Sequence, residues 1–198
     1  MRTQRPSPKQ ELTFVMIKPD GVRKGLIGEI VKRFEQRDMK IVALDMFEPS
    51  RKEMDSHYPK DRTWIERLGI KTKETYERYG YDLKHDFGTE NLYQIGKTVR
   101  GWLVDFMISG PLVKMVVQGI HSVDMVRKII GPTLPYIAPV GTIRGDYSAD
   151  SPVLANSEHR AIYNLAHASE TPEEARHEIK LWFKGQKLHI YKRFGVDE

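Results

Sequence analysis

Among the seven histidines of the chain, His167 has the setting that suits phosphate chemistry. It ends the strand-like run AIYNLAH (161–167) and stands just before Thr171-Pro172-Glu173-Glu174. That tetrad is a helix start with a cap, Pro at N1 and a reciprocal Glu at N3. Free backbone N–H groups and the dipole at a helix N-terminus favour negative charge. Imidazole, with an ordinary pKa near 6.5, is largely uncharged at neutral pH and is a competent nucleophile. Glu178, about two turns along the helix, can fold over the ring and fix its tautomer. The plainer alternative is a strand-end histidine bonded to a backbone group, and the local sequence leaves both open.

Phosphoryl transfer is mostly positioning and electrostatics, so it needs cations around the migrating group. Lys18 at a strand end, Arg127 in a helix and Arg144 in the Gly-flanked GTIRGDY are the candidates. Alone, each also reads as a solvated surface charge. Ile95-Gly96-Lys97-Thr98 ends like a phosphate-binding P-loop, but the motif wants Gly where Asn91 stands and a strand before it. It is read as accidental.

The elements that must position these groups follow from periodicity. LTFVMIK (12–18) is a buried strand and Pro19-Asp20-Gly21-Val22 a turn. Ile27, Ile30, Val31 and Phe34 make one helical stripe, and KIVALDMF (40–47) is a second strand. Ser50 and Glu53 form a capping-box pair opening a short helix that ends near His57-Tyr58. Residues 59 to about 98 read as an inserted helical unit, WLVDFM as helical, and LVKMVVQG (112–119) as a third strand. Ser122 can cap a helix closed by Gly131, and 131–158 shows no clear periodicity. The final helix runs from Thr171 to about Phe183. The simplest plan is a ferredoxin-like α+β fold. It is a split βαββαβ arrangement, a four-stranded antiparallel sheet with helices on one face, and a doubly wound parallel sheet is the alternative.

Composition bounds the class. The 198 residues suit a single domain, 39% of them hydrophobic and 30% charged. No apolar run approaches a membrane span. The polar N-terminus MRTQRPSPKQ does not read as a signal peptide, so cytoplasm is the expectation. The absence of cysteine excludes disulfides and thiolate metal sites. A net charge of +5 favours polyanionic partners, nucleotides, nucleic acid or an acidic membrane surface alike.

Taken in order, FVMIKPDGV (14–22), GLIGEIVKRFEQR (25–37), HY (57–58), LVDFMISGPLVKMVVQG (103–119), VRKIIGPTLP (126–135), GTIRGDYS (141–148), NLAHAS (164–169) and EIKLWF (178–183) resemble the nucleoside diphosphate kinase family along most of the chain. The resemblance implies that His167 is the phosphohistidine, carrying the γ-phosphate from a triphosphate to a diphosphate in ping-pong fashion. Glu178 would hold the other ring nitrogen and Tyr58 would buttress the ring. Lys18, Arg127, Thr133 and Arg144 would contact phosphates, and Asn164 the sugar hydroxyl, with Lys18 nearby. Counting back without gaps from LVDFM places the base-stacking pair at Val99 and Leu103; Val99 stands where the family often has an aromatic, so stacking would be weaker or taken over by a neighbour such as Trp102. Mg2+ would ride on the nucleotide phosphates without a protein cage. A homo-oligomer is implied, usually a hexamer, with a tetramer as another option.

The chain also departs from the pattern. Segments 59 to about 98 and 148–160 are longer than usual, and Ala168-Ser169-Glu170 replaces the usual Gly-Ser-Asp; a C-terminal tail, 184–198, follows. Two competing readings are a nucleic-acid-binding protein and a catalytically silent relative kept for regulation. The first lacks the RNA-binding aromatic run. The second would be signalled by loss of His167, Lys18, Arg127, Arg144 or Asn164, and all are present.

Overall fold

The computed structural model describes residues 10–193. The N-terminal stretch read for a signal peptide (apart from Gln10) and residues 194–198 of the tail lie outside them. The sheet has strand order β2-β3-β1-β4, built from β1 (Gln10–Ile17), β2 (Lys40–Phe47), β3 (Leu112–Ile120) and β4 (Ala166–Ala168). Every neighbouring pair is antiparallel, which is the ferredoxin-like arrangement.

Helices cover both faces of the sheet rather than one. The reason lies in β1 and β3, which are apolar at both parities. Val15, Ile17, Val113, Met115 and Val117 face one way and pack on Ile30 and Phe34 of α2 (Ile27–Glu35) and on Val126 and Ile130 of α7 (Ser122–Ile130). Phe14, Met16, Leu112 and Val116 face the other way. They pack on Met54 of α3 (Arg51–His57), Val104 and Met107 of α6 (Leu92–Met107), and Trp182 of α10 (Pro172–Trp182). A strand buried on both sides must carry such continuous apolar runs.

Several expectations shift. Pro19–Gly21 is not a turn but opens a short helix, α1 (Pro19–Arg23), with Pro at its start. Ser122 is the first residue of α7 rather than its cap; His121, in the left-handed region at φ 52, precedes it. Gly131 does close that helix, at φ 88. The aperiodic stretch 131–158 holds a 3-10 turn (Pro135–Ile137), α8 (Ile143–Tyr147) and α9 (Pro152–Ser157), the two helices capped by Thr142 and Ser151. The strand predicted over 161–167 contracts to β4, because Leu165 adopts φ 69 and breaks the ladder.

The inserted unit is helical, as expected: α4 (Arg62–Tyr79) and α5 (Leu83–Phe87) lead into α6. Asp61, Asp82 and Asn91 cap the three helices. Two glycines bring α4 and α6 into backbone contact: a Cβ at Gly69 or Gly96 would lie 1.9 Å from the carbonyl oxygen of Leu92 or Ile65. Gly96 is thus a helix-crossing residue inside α6, and the P-loop resemblance is accidental as read.

Candidate active site

His167 sits in β4, paired with Met16 of β1, and its side chain is half-buried. Residues two apart on a strand share a face, so His167 and Ser169 both meet α10. There Glu178 closes the pair. Its Oε1 lies 2.6 Å from His167 Nε2, and its Oε2 accepts from Ser169 Oγ at 2.6 Å. Burial disfavours the Glu178 charge, but the hydrogen bonds from His167 and Ser169 outweigh it and hold the pKa below its ordinary value. A carboxylate on Nε2 fixes the proton there and leaves the Nδ1 lone pair free.

A second imidazole, passed over in the sequence, packs on the first. His57 stands perpendicular to His167 with ring centroids 5.1 Å apart, and Trp182 Nε1 donates to His57 Nδ1 at 3.3 Å. Burial, then the neighbouring His167, push the His57 pKa down to about 3, so it is a neutral wall beside His167. Tyr58 packs on His57 at 5.1 Å and reaches His167 through it. The adjacency of His57 to Tyr58 was the available signal.

The loop that aims His167 is held from α1. Leu165 N–H donates to Asp20 Oδ2 at 2.9 Å, and Leu165 O accepts from Lys18 N at 2.8 Å. Gly21 has no room for a side chain, since a Cβ would lie 2.8 Å from Leu165 O. A buried leucine at positive φ costs about 1–2 kcal/mol, and these bonds hold it there. Neither Asp20 nor Leu165 carries a sequence signal of this role, because the contact spans most of the chain.

The cations converge as expected. Lys18 Nζ donates to Asn164 Oδ1 at 2.8 Å, and Asn164 Nδ2 donates to the Thr133 carbonyl at 2.9 Å. Arg144 donates to the carbonyls of Asn164, Gly131 and Ala166 at 2.9, 2.7 and 2.5 Å. It braces the segment just before His167 and the end of α7 at Gly131, and keeps its remaining N–H groups. Arg127 Nη1 reaches the Glu170 carbonyl at 3.0 Å. Burial, then the positive Arg144, lower the Lys18 pKa to about 8 against the opposing pull of Asp20. Burial lowers Arg144 to about 10, which leaves it charged at neutral pH.

These groups line one cleft of about 1130 Å³ that contains Lys18, Tyr58, Arg127, Thr133, Arg144, Asn164, His167 and Glu178. Val99 and Leu103 are not among its lining residues. Leu103 instead packs on the Phe14–Trp182 cluster, and Trp102 lies between Phe87 and His159. Counting back without gaps leads along α6, whereas Trp64, in the first turn of α4, lines the cleft beside Tyr58. Its ring lies 6.2 Å from Tyr58. Arg67, one turn on, lines the same cleft.

His57, His167 and Glu178 bring ligand-type atoms within 4.8 Å of one another. The set is imidazole-rich and already internally bonded, and a hard cation such as Mg2+ prefers oxygen. The other acidic lining residues are Glu170 and Glu174, and one oxygen of the Glu174 carboxylate accepts from the Glu170 N–H at 2.6 Å. The donor set fits a metal carried in on phosphates and water.

The comparisons agree with this geometry. The family model described as nucleoside diphosphate kinase matches residues 11–64 and 89–188, so the break falls within α4 and α5. A nucleoside diphosphate kinase of Pyrobaculum aerophilum is 45% identical over 178 residues, 90% of this chain and 97% of that protein. The crystal structure of an NDP kinase from the same organism superposes with a TM-score of 0.88 at 43% identity, over 92% of this chain and all of that one. A Borrelia burgdorferi nucleoside-diphosphate kinase, solved as a transition-state mimic with bound vanadate and ADP, gives 0.73 at 33% identity, over 93% and 94% of the two chains. A histidine aimed by a carboxylate, ringed by cations, on a sheet shared with these enzymes, leaves one assignment: the chain belongs to the nucleoside diphosphate kinase family.

Proposed function

We propose that His167 is the residue on which this nucleoside diphosphate kinase carries phosphate. The His167–Glu178 pair carries the reading. It protects Nε2 and turns Nδ1 toward a cleft of cations. The Nδ1 lone pair forms a bond to the γ-phosphorus as the bond to the β–γ bridging oxygen breaks. The diphosphate leaves with that electron pair, and Glu178 stabilises the positive ring that forms. An acceptor diphosphate then reverses the step. Lys18, Arg127 and Arg144 offset charge on the migrating group. Thr133 and Asn164 position the nucleotide, and Tyr58 with His57 keeps the ring from turning.

The base stacks on Trp64 at the outer end of the cleft. Stacking tolerates every base because each has a π-face. Mg2+, entering on the phosphates with water as its main ligand, would neutralise phosphate charge, and Glu170 is the carboxylate on the cleft wall that such a water could meet. The same reading brings homo-oligomerisation and a cytoplasmic location. The exposed Leu44 and Met46 on edge strand β2 support the former. No described helix is long and apolar enough to cross a membrane. Initial-rate kinetics with ATP and GDP test the scheme: parallel double-reciprocal lines are expected, and intersecting lines would rule out a ping-pong carrier.

A further inference from the structure

The cleft has two chemically different ends. At the inner end Lys18, Arg144 and Asn164 surround His167. From there the rings step outward, His57 against His167, Tyr58 against His57, and Trp64 beside Tyr58 at 6.2 Å. A nucleotide with phosphate at His167 therefore has its base at Trp64. Arg67 follows Trp64 by three residues on α4, and residues at i and i+3 share a helix face. It lines the cleft and is exposed. The neighbouring cations are already engaged: Arg62 with Glu66 at 2.8 Å and the Tyr93 ring, and Arg100 with Asp55 and the carbonyls of Tyr58 and Pro59. Among the described residues Arg67 has neither a hydrogen bond nor an ion-pair partner. It also lies in the stretch 65–88, between the two matched segments.

We infer that Arg67 reads the edge of the stacked base and gives the enzyme a preference for guanine nucleotides. The inference rests on the cleft being a nucleotide site. A guanidinium offers a fork of donors and no acceptor. Guanine presents two adjacent acceptors, O6 and N7, that the fork matches in bidentate fashion. Adenine pairs one acceptor with a donor, and cytosine presents a donor. Stacking on Trp64 alone discriminates little among bases, so the discrimination comes from the inserted helix.

Calorimetric titration with GDP, CDP and 7-deaza-GDP, on wild type and on Arg67→Ala, tests this. Arg67 is exposed, so the variant keeps the fold, which its Tm checks. GDP is expected to bind the variant about five- to tenfold more weakly, the low end of the range for a bidentate contact. CDP should change less than twofold, and 7-deaza-GDP, lacking N7, should bind wild type more weakly than GDP does. Arg67→Lys, a point charge without the fork, should not recover the loss. An equal loss for GDP and CDP would make Arg67 a phosphate contact, and no loss for either would make it a solvated charge. Both outcomes overturn the inference. Binding without phosphate exchange would remove the kinase reading and leave the GDP-to-CDP ratio as a test of Arg67. Failure of wild type to bind any of the three would remove both.

Discussion

The carboxylate of Asp20 holds the backbone of Leu165, accepting its N–H at 2.9 Å across most of the length of the chain. The bond fixes a left-handed residue two positions before the nucleophile. Asp20→Ala should leave a buried N–H without a partner, at a cost of about 1–3 kcal/mol. Thermal unfolding should show a Tm lower by about 2–12 °C, with slower phosphoenzyme formation. Asp20→Asn keeps an acceptor oxygen and should recover most of the Tm. Equal losses in both variants would mean that charge, not the hydrogen bond, is what the loop needs.

Glu178 sets the tautomer of His167, so its charge matters beyond its shape. Glu178→Gln should slow phosphoenzyme formation about 10- to 1000-fold, or about 1.4–4 kcal/mol of barrier. Nucleotide affinity should change little, because Glu178 faces the ring. Ser169→Ala, which removes only the second bond to that carboxylate, should cost less. Stopped-flow measurement of protein phosphorylation separates the two. An unchanged rate in Glu178→Gln would contradict the assigned tautomer.

Lys18 titrates at about 8 in the free enzyme because burial and Arg144 disfavour its charge. Below that pH Lys18 is cationic and can meet phosphate, and above it the charge is lost. The profile of kcat/KM, which reports the free enzyme, should fall as pH rises through about 8. Bound polyanion favours the charged form, so the limb in kcat should move to higher pH. Lys18→Met should lower activity and abolish the limb. A limb that persists in that variant belongs to another group.

The proposed stacking of the base on Trp64 predicts that Trp64→Ala raises KM for every nucleotide about tenfold, the scale of one lost stacking contact. Transfer at saturation should hold within a few-fold. Val99→Ala, outside the cleft, should leave KM unchanged. Steady-state kinetics with GDP, CDP and ADP make the comparison, and the opposite ranking of the two variants would restore the α6 assignment.

What the sequence disclosed and what it hid divide along physical lines. Elements with strong periodicity or chemical caps, such as β1, β3, α2 and the Thr171 start of α10, fall where periodicity and capping put them. His167, Lys18, Arg127, Thr133, Arg144, Asn164 and Glu178 lie in motifs whose spacing is local, and the fold brings them to one cleft. Asp20–Leu165 was not legible, since a long-range bond leaves no local pattern. Trp64 falls in the inserted unit, where a gapless count back from LVDFM along α6 does not reach it. The cap of α10 departs from the reciprocal box that its sequence predicts. Thr171 accepts from Glu174 N, but the Glu174 carboxylate reaches Glu170 N–H instead of the cap residue. The α4–α6 crossing needed Gly69 and Gly96 to be read as a pair, and nothing in their spacing says so.

The most direct test of the central claim is to incubate the full chain with γ-labelled ATP and magnesium, without acceptor, alongside His167→Ala. The wild type should take up acid-labile label and surrender it to GDP as labelled GTP, while the variant stays unlabelled. Label that persists in His167→Ala, or a folded, nucleotide-binding wild type that takes up none, would contradict the assignment of His167 as the carrier.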